Sequence, residues 1–401
     1  FAYQRMGNFV QSIWGNSIQT ANIANPDLTW ESTRSWNAGL DLNLFNNRVE
    51  FIFDAYIKKT KDLLLQQDFP GYVGTTGTGA ATAQWANIGS MQNKGFEFTL
   101  NTVNISNRDF QWRTNVTFSL NRNKVVAMNT ENAFIDKTYQ QSGETNVVTR
   151  TAIGHPVSQF YGYKVIGRIN TASDYLIDNG DGTSTVKIAT PVLKTGDCVV
   201  NAGTDKGSLV KQVYIGDYIF EDVNNDGIID EKDQTFLGSP LPKFTYGINN
   251  TFKYKNFDLS IFLYGSQGNK AMNYLSRRLK NPNSSGNVHQ EVNNYARLGY
   301  IDGNSANNNV WNICILPGAN PGQPRMSVND NDRISNRIVE DASFLRIQNI
   351  VFGYTLPKSW LRKLKIENAR VYANIKNVYT FTGYSGYDPE IGSTQAQYSY
   401  S

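Results

Sequence analysis

Cysteine, histidine, charge and long apolar runs are all scarce in this chain of 401 residues, and each scarcity removes a class of function. The two cysteines, Cys198 and Cys314, fit neither a disulfide framework nor a CxxC metal or redox motif, and the sequence leaves their pairing open. The two histidines, His155 and His289, have no partner at the spacing that Ser/His hydrolysis or a histidine zinc site requires. Enzyme chemistry is therefore not expected. No apolar run approaches the roughly 18 residues of a membrane-spanning helix, and mean hydropathy is −0.45. A chain like this can cross a bilayer only with strands. Charged residues make up 18%, below the roughly 25% usual in soluble domains, and Lys and Arg are scattered despite a net charge of +4. Scattered cations exclude the basic patch of a nucleic-acid binder.

Aromatics, at 12%, are plentiful, and much of the apolar sequence alternates with polar residues at a period of two, the signature of strands with two different faces. Eight stretches carry it: Trp36 to Leu44, Val49 to Lys58, Phe96 to Asn101, Trp112 to Leu120, Phe244 to Tyr254, Phe257 to Leu263, Leu345 to Val351 and Val371 to Lys376. In the sixth, Leu259 and Ile261 fall on the apolar face and Ser260 on the polar one; in the seventh, Leu345, Ile347 and Val351 oppose Arg346 and Gln348. Several stretches reach the 9 to 11 residues that cross a bilayer at a tilt. Tight links of turn-forming residues, at Asn46-Asn47, Ser106 to Asp109, Lys255-Asn256 and the longer Pro357 to Asn368, alternate with excursions over 60–93, 126–242 and 265–340. All short links then lie on one side and all excursions on the other, as in an outer-membrane barrel with short periplasmic turns and long extracellular loops. The expected fold is all-β, a transmembrane antiparallel β-barrel, with Asn46 and Asn256 periplasmic and Thr76 and Ser284 extracellular. Because lipid offers no hydrogen-bond partner, such a sheet must close on itself, and the strand parity leaves the last crossing outside at Gly383. The chain starts at Phe1 without an initiator Met or signal peptide, and is expected to be an arc of a larger barrel.

Within the excursion 126–242, the stretch DVNNDGIIDEKD follows the spacing of a calcium loop. Asp222, Asn224, Asp226, the Ile228 carbonyl, Asp230 and Asp233 stand at loop positions 1, 3, 5, 7, 9 and 12, with Gly227 at the sharp turn. A structural calcium is expected there, stapling a loop with little apolar material of its own; a polar Asx-rich turn is the alternative. DNGDG at 178–182 has poor ligand spacing and reads as a turn.

Six blocks occur in one order: NPDLTWE (Asn25 to Glu31), NIGSMQNKGFEF (Asn87 to Phe98), GHPVSQFYGYK (Gly154 to Lys164), GDYIFEDVNNDGIIDEKDQTFLGSPLPKFTYG (Gly216 to Gly247), EDASFLRIQNIVFGYTLP (Glu340 to Pro357) and NVYTFTGYSGYDPE (Asn377 to Glu390). Together they resemble the C-terminal part of the SusC/RagA family of TonB-dependent outer-membrane transporters. The resemblance implies a plugged barrel of about 22 strands in the outer membrane of a Gram-negative bacterium. It also implies energy coupling through TonB, a SusD-like lipoprotein lid, and import of an oligosaccharide or peptide. The plug, the TonB-contacting segment and the final strand are expected to lie outside residues 1–401. A passive porin or adhesin, and an outer-membrane hydrolase barrel, are the alternatives. Asn115, Asn249, Arg346 and Asn374 are expected to line the lumen, touching either solute or plug, and the loop aromatics Trp85, Trp311 and Tyr384 to stack on sugar or pack on the lid.

Overall fold

A computed structural model describes residues 8–12, 15–19, 25–67, 84–141, 144–191, 209, 213–281, 286–318, 322–325, 331–363 and 365–390. Its largest element is one sheet of eight strands: β1 (Ser32–Leu44), β2 (Val49–Gln67), β3 (Gln84–Ser106), β4 (Phe110–Met128), β5 (Phe244–Tyr254), β6 (Phe257–Gln267), β7 (Phe344–Thr355) and β8 (Arg370–Thr382). Each strand pairs antiparallel with its sequence neighbour, so the order across the sheet is β8-β7-β6-β5-β4-β3-β2-β1. These are the eight stretches read from the alternation. Among the described residues β1 and β8 remain as the two edges of the sheet.

Register aligns the apolar residues into one continuous face. Leu40, Phe53, Phe98, Phe118, Tyr246 and Gly265 follow one another across six strands. Neighbouring rings on this face lie close, with centroids 5.3 Å apart for Phe98 and Phe118 and 5.4 Å for Phe118 and Phe244. Leu40 is 50% exposed and Phe352 49%, so the face is uncovered by protein although it is mostly apolar. Such a wall is satisfied by hydrocarbon rather than by a core. Polar residues on it, Asn250, Thr114 and Thr102, meet across β5, β4 and β3, and Asn250 is neutralised inside the wall, since its Oδ1 accepts from Trp112 Nε1 at 3.0 Å and Thr114 Oγ1 at 2.7 Å. Lipid could not supply those bonds.

Two expectations need correction. The excursion 60–93 is mostly strand: β2 runs to Gln67 and β3 starts at Gln84, giving strands of 19 and 23 residues that project well past the 9 to 11 needed to cross. Irregular register between Thr60 and Leu64, with Asp62 at a φ of 59°, broke the alternation and hid this extension. In β7 the pairing slips between Ile347 and Asn349, a bulge at Gln348 that reverses the alternation beyond it. Ile350, Phe352 and Tyr354 therefore continue the apolar face, and Val351, paired with Ser260 and Asn374, falls on the polar one. Leu259 and Ser260 keep their expected faces, Leu259 beside Phe252 and Phe352 and Ser260 donating to Asn249 Oδ1 at 3.0 Å.

The short links are tight. Phe45, Asn46 and Asn47 adopt φ of 55°, 54° and 62°, and the Lys255 N–H donates to Asp109 O at 2.8 Å, tying two neighbouring turns together. Opposite them, the long connections build the molecule's core. A four-stranded sheet joins Thr235–Gly238, Gln159–Gly162, Glu144–Ala152 and Phe134–Gln141 in that order, and further short pairs surround it. Three apolar clusters fill this region, around Val148 and Phe160, around Ile169, Tyr175 and Ile215, and around Tyr163, Tyr218, Phe220 and Ile229. A separate hairpin, Asn8–Ser12 with Gly15–Gln19, was not foreseen. Thr76, Ser284 and Cys198 lie outside the described residues; Cys314 is a free thiol in Ile313–Ile315.

Candidate functional site: the polar face and the packed long loops

The polar face carries a ladder of side chains that crosses strands β2, β3 and β4. Asn101 Nδ2 donates to Glu50 Oε2 at 2.8 Å, and Asn115 Nδ2 to Asn101 Oδ1 at 2.6 Å. With Asn43, Arg113 and Asn249 they border a concavity of about 580 Å³. Asn115 and Asn249 thus stand on the face expected to line a lumen, and Asn374 shares it through its pairing with Val351.

Arg346 also faces this way but is already committed. It is 4% exposed, donates from Nε to Thr380 Oγ1 at 2.8 Å and from Nη2 to Asp388 Oδ1 at 2.6 Å, and pairs through Nη1 with Glu390. A guanidinium forked between two carboxylates is a clamp, and it holds the GYDPE segment against the wall rather than waiting for solute. Glu340 reinforces the attachment by accepting from the Ser385 N–H at 2.8 Å and from Asn273 Nδ2 at 3.1 Å. The conjunction of EDASFLR and GYDPE was visible in the sequence as two blocks; their contact was not.

The loop of Asp222 to Asp233 folds by internal Asx bonds. Asp222 Oδ2 accepts from the Gly227 N–H at 2.9 Å, Asn224 Oδ1 from Asp226 at 3.0 Å, and Asp226 Oδ1 from Ile228 at 2.9 Å. Gly227 at a φ of 80° makes the turn that a side chain would strain. Asp233, fully buried, accepts from the Val223 and Asp230 N–H groups. Asp230 caps the turn Glu231–Asp233 through Lys232 N and points its charge toward Lys232 Nζ at 3.9 Å. Among the described residues no three acidic side chains stand close enough to grip an ion in this arrangement. One oxygen fits a cation nonetheless: Asp222 Oδ1 is buried and has no hydrogen-bond partner. Of the expected ligands Asp222, Asn224, Asp226, Asp230, Asp233 and the Ile228 carbonyl, the fit to calcium is thus partial and rests on that one oxygen. The expectation that the loop lacks apolar support is wrong. Ile229 is 0% exposed among Tyr163, Tyr218 and Phe220, and Ile228–Ile229 pairs parallel with Thr190–Pro191.

A second joint, unforeseen, gathers residues far apart in sequence. Asp217, 5% exposed, accepts from the Tyr214 N–H at 3.0 Å, from Arg325 Nε at 2.8 Å and from Asn331 Nδ2 at 2.9 Å. Beside it Tyr218 donates to Gly322 O at 2.8 Å, and burial pushes its pKa up to about 12, so the phenol stays neutral. The histidines serve locally: His155 stacks on Phe236 at 3.9 Å and bonds Gln159 at 3.0 Å, while His289 caps the turn Gln290–Asn294. Of the aromatics read as loop residues, Trp85 lies in β3, Trp311 packs on the cluster around Ile313, and Tyr384 is half-buried. Among the described residues the most exposed aromatic is Tyr387, at 92%, inside the clamped segment. At 178–182 the chain makes a hairpin turn in which Asp181 Oδ1 accepts from the Thr183 N–H at 2.8 Å.

Residues 2–190 match the family described as TonB dependent receptor-like, beta-barrel. TonB-dependent receptor P3 of Formosa agariphila is 32% identical over 378 residues, covering 94% of this chain and 32% of that protein. TonB-dependent receptor SusC of Bacteroides thetaiotaomicron is 28% identical, covering 92% and 30%. The chain belongs to the TonB-dependent receptors of the SusC/RagA type. It spans about a third of the length of these curated relatives. A solved structure titled "Structure of the RagAB peptide transporter" superposes with a TM-score of 0.67 at 22% identity, over 98% of this chain and 37% of that one. That likeness establishes the shared fold. The SusC/RagA-type chain is thus a β-barrel segment of an outer-membrane protein of a Gram-negative bacterium, and its named relatives are receptors and a transporter rather than enzymes.

Proposed function

We propose that this chain forms wall and extracellular loops of an active, TonB-driven importer of a nutrient oligomer, oligosaccharide or peptide, working with a SusD-like surface lipoprotein. The observation that carries the reading is the one-sided build of the molecule. A lipid-compatible wall with tight turns at one end supports, at the other, loops that own nearly all of the buried core. Loops packed in this way present a shaped surface for a lid and a solute, which a simple pore does not need. The oligosaccharide or peptide cargo is proposed from the kinship with SusC and the RagAB peptide transporter. The final-strand, plug and TonB-contacting parts belong to the rest of the full-length protein in this proposal.

Within the same reading the loop 222–233 takes a structural calcium, with Asp222 Oδ1 as its first ligand. The importer is tested by uptake of fluorescent oligosaccharide and peptide pools in cells carrying or lacking the full-length gene. Gene-dependent uptake should vanish with a protonophore or on deletion of tonB; uptake indifferent to both would identify a passive porin instead. Co-purification of an acylated surface lipoprotein with the solubilised receptor tests the lid.

A further inference from the structure

Between the helix Tyr274–Leu279 and the segment 331–338, both in the connection from β6 to β7, lies a small cavity of about 60 Å³. Arg277, Lys280, Arg333 and Arg337 line it, against a single acid among the described residues, Asp332. Asp332 is claimed by Arg277, whose Nη2 lies 3.1 Å from Oδ2. Lys280 Nζ reaches Glu291, 3.2 Å away, which is not part of the lining. Arg333, 5% exposed, lies over the rings of Tyr163 and Phe220. Arg337 lies over the ring of Tyr218 with 4.6 Å from guanidinium to centroid, and among the described residues no carboxylate pairs with it. The remaining polar wall, the Tyr218 phenol included, is uncharged.

With Arg277 answered by Asp332 and Lys280 by Glu291, the Arg337 guanidinium is a charge that no carboxylate among the described residues pairs with, in a half-enclosed place where solvent screens it poorly. The Tyr218 ring covers one face of the planar Arg337 guanidinium and leaves its edge N–H groups to fork onto an oxyanion. A cavity of this size holds a few waters or one small charged group, not a whole sugar ring.

Resting on the importer reading, we infer that this cavity binds one oxyanion of the cargo, a carboxylate, and that it selects for acidic oligomers. The carboxylate can come from an acidic sugar unit or from a peptide terminus. The receptor as a full-length protein in detergent, titrated by calorimetry at low salt, tests this with sodium galacturonate, galactose, N-acetyl-dialanine and its methyl ester. Galacturonate binding with galactose inert assigns an acidic glycan; N-acetyl-dialanine binding with its ester inert assigns a peptide terminus. Arg337→Gln should weaken the productive probe at least tenfold and Lys280→Gln by less, with Arg337→Lys recovering part of the loss. Should Arg337→Gln disturb the loops, seen as faster proteolysis at 322–338, Lys280→Gln decides. Equal binding of charged and neutral probes, no binding of either carboxylate, or unchanged affinity in both glutamine variants would overturn the inference. Unchanged carboxylate affinity with loss of the co-purifying lipoprotein would also overturn it, assigning the cavity to an acidic side chain of the lid. Protonophore-insensitive uptake would overturn the importer while leaving these binding results intact, so the two failures are distinct.

Discussion

The bulge at Gln348 makes neighbouring residues of β7 respond oppositely to the same substitution. Ile350 stands on the apolar face, flanked by Ile261 and Ile375, whereas Val351 stands on the polar face between Ser260 and Asn374. Uninterrupted alternation from Leu345 would place them the other way round. Ile350 is the seventh of twelve residues in Phe344–Thr355. At about 3.4 Å per residue and a tilt near 45°, it sits roughly 14 Å from one end of the strand and 12 Å from the other. That is the middle of an apolar band about 25 Å tall, where an arginine costs about 2 to 4 kcal/mol. Ile350→Arg should therefore lower the folded-to-unfolded ratio roughly 30- to 700-fold, while Val351→Arg should change it by less than tenfold. The assay is urea unfolding of the full-length receptor in lipid vesicles, followed by the heat-modifiable mobility of the folded barrel. A costlier Val351→Arg would refute the bulge and with it the facing of half of β7.

Other outcomes follow from the same geometry. Leu259→Arg should cost about 2 to 4 kcal/mol in that assay and Ser260→Arg nearly nothing, since they alternate across the wall. Arg346→Gln should leave Asp388 and Glu390 without their cation; allowing for their partial exposure, about 2 kcal/mol is lost locally, read as roughly 30-fold faster hydrogen exchange at 383–390. Ile229→Ala should cost about 3 kcal/mol and open the long loop to protease, because that side chain is fully buried. Calcium chelation, or Asp222→Ala with Asp226→Ala, should increase cleavage within 222–233 by less than Ile229→Ala does, leaving the folded barrel undiminished; cleavage indifferent to calcium would return the stretch to a polar turn.

The wall was legible because alternation is enforced by two solvents, hydrocarbon on one face and water or protein on the other. Every strand of the sheet announced itself in that way, and the tight links at Asn46 and Asn256 announced the pairing. Alternation fails where an extra residue enters, which is why the sequence put Val351 on the wrong face and ended β2 too early. The loops were opaque for a different reason. Their core joins Asp217 to Arg325 and Asn331, each more than a hundred positions from it, and no local period records such a meeting. DVNNDGIIDEKD disclosed its Asx turns and Gly227, but not that Ile229 would anchor it in an aromatic cluster. The cationic cavity draws its Lys and Arg from two separate segments, 277–280 and 333–337, so their scatter in the sequence concealed it.

The central claim is that this wall spans the outer membrane with its tight turns inside and its packed loops outside. Single cysteines at Asn256 and Asn308, placed in the full-length receptor after Cys198 and Cys314 are changed to Ser, read this directly on intact cells with a membrane-impermeant maleimide. Asn308, exposed in the connection between β6 and β7, should label, and Asn256, in the turn between β5 and β6, should label only after the outer membrane is permeabilised. Labelling of Asn256 but not Asn308 on intact cells would invert the topology, and labelling of both would contradict a membrane-spanning wall.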